Sequence, residues 1–183
     1  MKIYNLVTNI YRKILQIYWS IFIPIHLKFL GVYIGKNCKF YGFPIVSLGK
    51  NSKILINDNV VLCSDPRFTQ LGVSHPVILN TSNNAILEIG KDTGISGATI
   101  YAHKTVIIGE ACLIGADVKI FDTNFHSLIS ENRRYNKKEN DISSKKVIIG
   151  DNCFIGTNAI ILKGCNLKKN TVVPAGSIIK ELK

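Results

Sequence analysis

His126 is the residue whose setting points most directly to chemistry. It stands four residues after Asp122 and two after Asn124, where a regular sequence pattern gives way to a polar, basic stretch. An imidazole titrates near neutrality and can take a proton from an attacking hydroxyl or amine. Asp122 or Asn124 could hold its second ring nitrogen and fix the tautomer, as an orienting group does beside a general base. For Asp122 a role as a plain turn residue competes. The other histidines carry weaker signals: His26 lies in an N-terminal apolar segment, His75 precedes Pro76 in a turn, and His103 falls at a corner of the pattern. The five cysteines form no C-x-x-C and no other metal-type spacing, so no metal is expected.

The element that must hold His126 is a repeat. Stepping by six from Ile149 gives Ile155, Ile161, Leu167, Val173 and Ile179, all aliphatic. The same step joins Ile89 to Ile95, Tyr101 and Ile107; a slip of one residue then gives Ile108, Ile114 and Ile120. Near the start it links Ile34 to Phe40, and Leu48 to Ile54 and Val60. The residue after the aliphatic is Gly at positions 35, 49, 90, 109, 115, 150 and 156, which suits a backbone conformation that a side chain would make costly. A small residue follows four places on, among them Cys38, Ser52, Thr93, Thr99, Thr105, Cys112, Ala159, Thr171 and Ser177. Helices repeat near 3.6 and strands at 2, so a period of six fits neither alone. It fits a short strand plus a corner, with three such units closing one triangular coil. The chain therefore reads as all-β, a left-handed parallel β-helix with an N-terminal helix and one protruding loop. Cys38, Cys112, Cys153 and Cys165 fall at the small inward position and read as compact buried residues; Cys63 does not fit it.

The pattern breaks twice. One break runs from Leu62 to Ala85 and contains Asp65, Pro66, Arg67, Gly72, His75 and Pro76. The larger lies between Ile120 and Ile149, a spacing of 29 where six is expected, hence 23 inserted residues. It holds Arg133, Arg134, Lys137, Lys138, Lys145 and Lys146 against Glu139 and Asp141 from 133 to 146. A polar insertion of this length in a strict repeat marks a functional loop, here 126–148.

Composition narrows the alternatives. The 183 residues are 46% apolar with a net charge of +11, enough for a real core and unlike a disordered basic tail. Eight Lys or Arg precede the first acidic residue, Asp58. Between Met1 and Pro24, polar Asn5, Thr8, Asn9, Arg12, Lys13, Gln16 and Ser20 recur at helical spacing among Ile, Leu, Val and aromatic residues. Pro24 is expected to end that helix. The helix either caps the open end of the domain or lies in a lipid headgroup plane with Trp19 at the boundary, and the two are compatible. Segment 14–30 is interrupted by Gln16, Ser20, Pro24, His26 and Lys28, so no membrane-spanning helix and no secretory signal is expected. The organisation is thus an amphipathic segment 1–30 and a repeat domain 31–183, cytoplasmic and at most peripheral to a membrane. No aromatic platform or recognition-helix motif supports nucleic-acid binding.

Three motifs carry a family resemblance: Ile95–Ile100 (ISGATI), Asp122–His126 (DTNFH), and Ile149–Gly156 (IGDNCFIG) followed by Ile161-Leu162-Lys163-Gly164. With the repeat, they make residues 30–183 resemble the hexapeptide-repeat acyltransferases, in particular saccharide O-acetyltransferases of the maltose and galactoside type. The resemblance implies a homotrimer with acetyl-CoA between neighbouring prisms, and direct acetyl transfer to a saccharide hydroxyl with His126 as general base. It further implies CoA contacts at Gly115, Gly156, Thr157, Lys163, Ala175 and Lys180, with a backbone N–H near Gly156 and Thr157 meeting the developing oxyanion. N-acetylation of a nucleotide-linked amino sugar is the nearest alternative. A zinc hydratase on the same β-helix lacks ligands, since the coil region holds only His103 and His126. A non-catalytic scaffold recruited to anionic lipid predicts no CoA binding.

Overall fold

A computed structural model describes residues 2–136 and 141–181. A helix, α1 (Lys2–Phe29), leads into six triangular coils. The first coil is β1 (Tyr33–Ile34), β2 (Lys39–Tyr41) and β3 (Ile45–Ser47); the second is β4 (Lys53–Ile56), β5 (Val61–Cys63) and β6 (Ile78–Thr81). The third is β7 (Ile86–Ile89), β8 (Gly94–Ser96) and β9 (Thr99–Ala102); the fourth is β10 (Thr105–Ile108), β11 (Leu113–Ile114) and β12 (Lys119–Phe121). The last two are β13 (Val147–Ile149), β14 (Phe154–Ile155), β15 (Ile160–Ile161), then β16 (Asn166–Leu167), β17 (Val172–Val173) and β18 (Ile178–Ile179). Every third strand pairs in parallel, which gives three six-stranded sheets, the faces of a left-handed β-helix.

The inward residues stack in register. The first face carries Ile34, Ile56, Ile89, Ile108, Ile149 and Leu167. The second carries Phe40, Leu62, Ile95, Ile114, Ile155 and Val173. The third carries Val46, Leu79, Ile100, Ile120, Ile161 and Ile179. Nearly all are buried, and together they form one continuous core.

The coils depart from a strict step of six at several places. The register slips at Gly97, so Ile100 points inward while Tyr101 and Ile107 are half-exposed. Val46, not Leu48, continues the row from Ile34 and Phe40; Ile54 and Val60 occupy a second inward row, two residues before Ile56 and Leu62. Thr99 and Thr105 are half-exposed strand residues, and Ala98 takes the small inward place. The repeat glycines owe their identity to space rather than to backbone angle. A Cβ at Gly115 would lie 2.7 Å from the Thr157 nitrogen on the next coil. The left-handed corner residue comes two positions later and is mostly Asn or Asp, such as Asn37, Asp117 and Asn158. Cys38, Cys112, Cys153 and Cys165 are buried free thiols; Cys63, also buried, ends β5.

The helix α1 does not stop at Pro24 but runs on to Phe29. Pro24 removes one helical hydrogen bond, yet Ile23 and Leu27 on either side are fully buried against the first coil, which holds the helix together across it. The Ser20 hydroxyl accepts from the Phe40 N–H, so α1 also satisfies an otherwise open donor at the edge of β2. The helix is the lid on the first coil.

Candidate functional site

The first irregular segment is tighter than the sequence implied. Leu62, Cys63 and residues 78–81 belong to strands, so the excursion covers 64–77. Phe68 anchors it, edge-on to Trp19 at 5.5 Å and beside Tyr41 at 5.1 Å. The Ser74 N–H donates to Asp117 on the fourth coil at 2.9 Å. Asp65 accepts from Arg67 through both carboxylate oxygens, and this guanidinium holds the Asp65 carboxyl below its ordinary range.

The second segment leaves the prism after β12 and returns at β13, so the loop ends at Lys146 rather than 148. Its two limbs are zipped at the root. Thr123 bridges Ser144 in antiparallel fashion, the Ser144 hydroxyl donates to the Thr123 hydroxyl at 2.8 Å, and the Lys145 N–H donates to the Asp122 carbonyl. Lys145 is paired with Glu181 at 2.8 Å. Lys137, Lys138 and Glu139 lie outside the described residues.

His126 sits at this root and is exposed. Its N–H donates to the carbonyl of Asn124, two residues back, at 2.7 Å, and the residue between them, Phe125, has φ of 62°. This is a γ-turn with a non-glycine residue in the left-handed region, a conformation that costs of order 1–3 kcal/mol. The Phe125 ring offsets that cost by packing on Tyr101 at 4.9 Å and Phe121 at 5.5 Å, both on strands of the third face. An aromatic clamp on rigid sheet thus fixes the backbone that carries the imidazole.

Asp122 does something other than orient His126. Its carboxylate is fully buried and accepts three backbone N–H groups, from His103 at 2.6 Å and from Lys104 and Thr105 at 2.7 Å each. Both oxygens are committed to the preceding corner, one coil away. Asn124 shapes the turn through its backbone, donating to the Ser143 carbonyl and accepting from His126.

The residues expected to meet CoA fall into two groups. Gly115, Gly156, Thr157 and Ala175 line one groove of 480 Å³ at the corner between the second and third faces. Phe154 and Val172 form one wall, and Thr69, Gln70 and Leu71 of the excursion form the other. The lining is mostly apolar and suits an extended, uncharged thiol arm. Lys163 and Lys180 lie instead at the corner between the third and first faces, where Lys180 lines a separate cleft beside Glu181. The Gly156 N–H is taken by the Val173 carbonyl, whereas the Thr157 N–H has no hydrogen bond among the described residues. Nothing in the sequence Thr69-Gln70-Leu71 signals this wall, because its position depends on Phe68 docking against α1. Among the described residues, no three His, Cys, Asp or Glu side chains converge as metal ligands.

His126 and the groove stand at different corners of one prism. The outer surface of the second face carries Leu113, Phe154 and Val172 in adjacent register, all about half exposed or more. Such a stack is a surface that oligomers cover.

Comparison with known proteins bears on the fold and the repeat. A family model described as the hexapeptide repeat of succinyl-transferase matches residues 105–120 and 146–181. A polysialic acid O-acetyltransferase of Neisseria meningitidis is 28% identical over 137 residues, 73% of this chain and 55% of that protein. A galactoside O-acetyltransferase of Lactococcus lactis is 31% identical over 81 residues, 44% of this chain and 37% of that one. The crystal structure of the polysialic acid O-acetyltransferase OatWY superimposes with a TM-score of 0.65 at 28% identity, covering 83% of this chain and 66% of that one. The chain spans about half the length of the first of these relatives, or less.

Proposed function

We infer that this hexapeptide-repeat chain, whose relatives are O-acetyltransferases, is itself an acyltransferase that moves an acetyl group from acetyl-CoA to a saccharide hydroxyl. The observation that carries the reading is His126: an exposed imidazole on a strained, clamped turn at the root of the one long insertion of a rigid prism. Strain of this kind persists where function requires a side chain in one place.

In this reading the imidazole takes the proton of the acceptor hydroxyl as its oxygen attacks the thioester carbonyl carbon. The C–S bond then breaks, and the departing thiolate recovers the proton from the imidazolium. The groove beside Gly115, Thr157 and Ala175 holds the thiol arm, and the Thr157 N–H meets the negative charge that grows on the carbonyl oxygen. Because groove and imidazole occupy different corners, the site closes only between copies: the His126 corner of one prism against the groove of the next. Three parallel copies around one axis satisfy every such contact, and the Leu113–Phe154–Val172 stack then lies in the interface.

The test is thiol release from acetyl-CoA with candidate glycans. His126→Ala is expected to lower turnover by about 10²–10⁴-fold, the usual worth of a general base, with an unchanged melting temperature because the side chain is exposed. Unchanged turnover would refute the assignment.

A further inference from the structure

We propose that α1 docks the protein onto an anionic lipid surface with the prism standing upright on it. The helix has two apolar sides. Trp19, Ile23 and Leu27 pack down on the first coil, as described. On the opposite side, Ile10, Ile14, Ile17, Tyr18, Ile21 and Ile25 fall within one arc and are each between 48% and 59% exposed. Further large apolar residues flank them, up to Phe29 at 88%. Nothing among the described residues covers this face. The helix has an apolar stripe far wider than its role as a lid requires.

Charge selects the occupant. Lys13 and Lys28 lie at or beside this exposed arc, whereas Arg12 is on the capping side near Asp65 and Arg67, and no acidic residue occurs before Asp58, although the first 57 residues carry eight Lys or Arg. An apolar helix face edged with cations and free of acids fits the boundary of an anionic bilayer. No helix among the described residues is long and apolar enough to cross one, so the helix would lie in the surface rather than span it.

Geometry adds orientation. The capping side faces the first coil, so the exposed side faces away from the prism along its axis. Copies standing side by side in parallel cannot cover that end of each other; they present their caps in one plane, and several weak anchors act together. His126 leaves the fourth coil, three rungs of about 4.8 Å from the first, so it would stand on the order of 14 Å above the first coil, with the thickness of the helix between that coil and the lipid. If the acyltransferase reading holds, the acceptor hydroxyl is then one presented near a membrane, as on a lipid-linked saccharide; the docking itself does not depend on that reading.

The experiment is flotation of the full-length protein with phosphatidylcholine vesicles, with and without about 30% phosphatidylglycerol. The wild type is expected to float with the anionic vesicles and to be released by high salt. The double variant I14E/I21E is expected to lose at least about tenfold in bound fraction, with circular dichroism and melting temperature unchanged because neither side chain touches the core. Sedimentation without lipid is run on both proteins. Absence of anionic-vesicle binding by the wild type overturns the proposal. So does a variant whose only defect is a smaller assembly while it still floats, which would make the face a contact between copies. Thiol-release activity on soluble acceptors, unaffected in I14E/I21E, keeps a failure of docking distinct from a failure of the enzymatic reading.

Discussion

Asp122→Asn separates a structural carboxylate from a catalytic one. In the folded chain one carboxylate oxygen accepts the His103 N–H, and the other accepts those of Lys104 and Thr105, all at 2.6–2.7 Å with the side chain fully buried. An amide of the same shape keeps one oxygen, which can serve two of the donors, and turns an NH₂ towards the third. The orphaned N–H costs about 1–3 kcal/mol, and the two surviving bonds each lose roughly 1 kcal/mol of charge assistance. Relief from burying a carboxylate offsets part of this, leaving a net loss of about 3 kcal/mol. At about 2–4 °C per kcal/mol for a chain of this size, the melting temperature should fall by about 6–12 °C. Far-UV circular dichroism melts measure the fall directly. Turnover measured well below the melt should drop by no more than a few-fold, whereas an Asp that orients a base loses about 10⁴-fold when amidated. A variant with an unchanged melt and a collapse in turnover would refute the assignment of Asp122 to the corner.

The other predictions follow from packing and charge. Gly115→Ala places a methyl 2.7 Å from the Thr157 nitrogen, so it should cost about 2–3 kcal/mol, well beyond Gly72→Ala, which strains a left-handed residue in open space; paired melts compare them. Asp65→Asn breaks the fork to Arg67. Because Arg67 holds the Asp65 carboxyl below its ordinary range, the wild-type advantage is present above about pH 3.9 and is lost as pH falls through the folded value. The gap between the two melting temperatures should therefore be widest near neutrality and close in acid; a constant gap would contradict the ion pair. Burial pushes the thiols of Cys38, Cys63, Cys112 and Cys165 up. With Cys153 also buried, an aromatic disulfide reagent at mildly alkaline pH should label none of the five quickly in the native protein and all of them after denaturation.

The sequence makes the β-helix legible because the repeat is written in residues that must be apolar to stack, and the inward rows from Ile149 to Ile179 match the observed ladder one for one. Where the reading strayed, the missing information was in the third dimension. The corner at Gly97 is one residue short, and no local preference announces whether Ile100 or Tyr101 then turns inward; the neighbours Leu79 and Ile120 decide it. Pro24 reads as a stop on propensity alone, but burial of Ile23 and Leu27 outweighs the bond it removes. Asp122 is one residue type with two plausible roles. Only the fold reveals that three N–H groups from the coil before it arrive at its carboxylate.

The candidate site was legible to the same depth. Its rigid parts, the corners at Gly115, Gly156, Thr157 and Ala175, belong to the repeat and can be placed by counting. Its irregular parts cannot: the excursion wall depends on Phe68 reaching Trp19, two segments far apart in the chain. The separation of His126 from the groove has the same origin. A prism offers three corners per coil, stacked into three columns, and each insertion leaves from one of them, so base and groove share a column only if the insertion leaves from the corner that the groove follows. His126 leaves from the corner between the third and first faces and the groove runs along the corner between the second and third, so in the proposed reaction imidazole and thioester would meet between two copies.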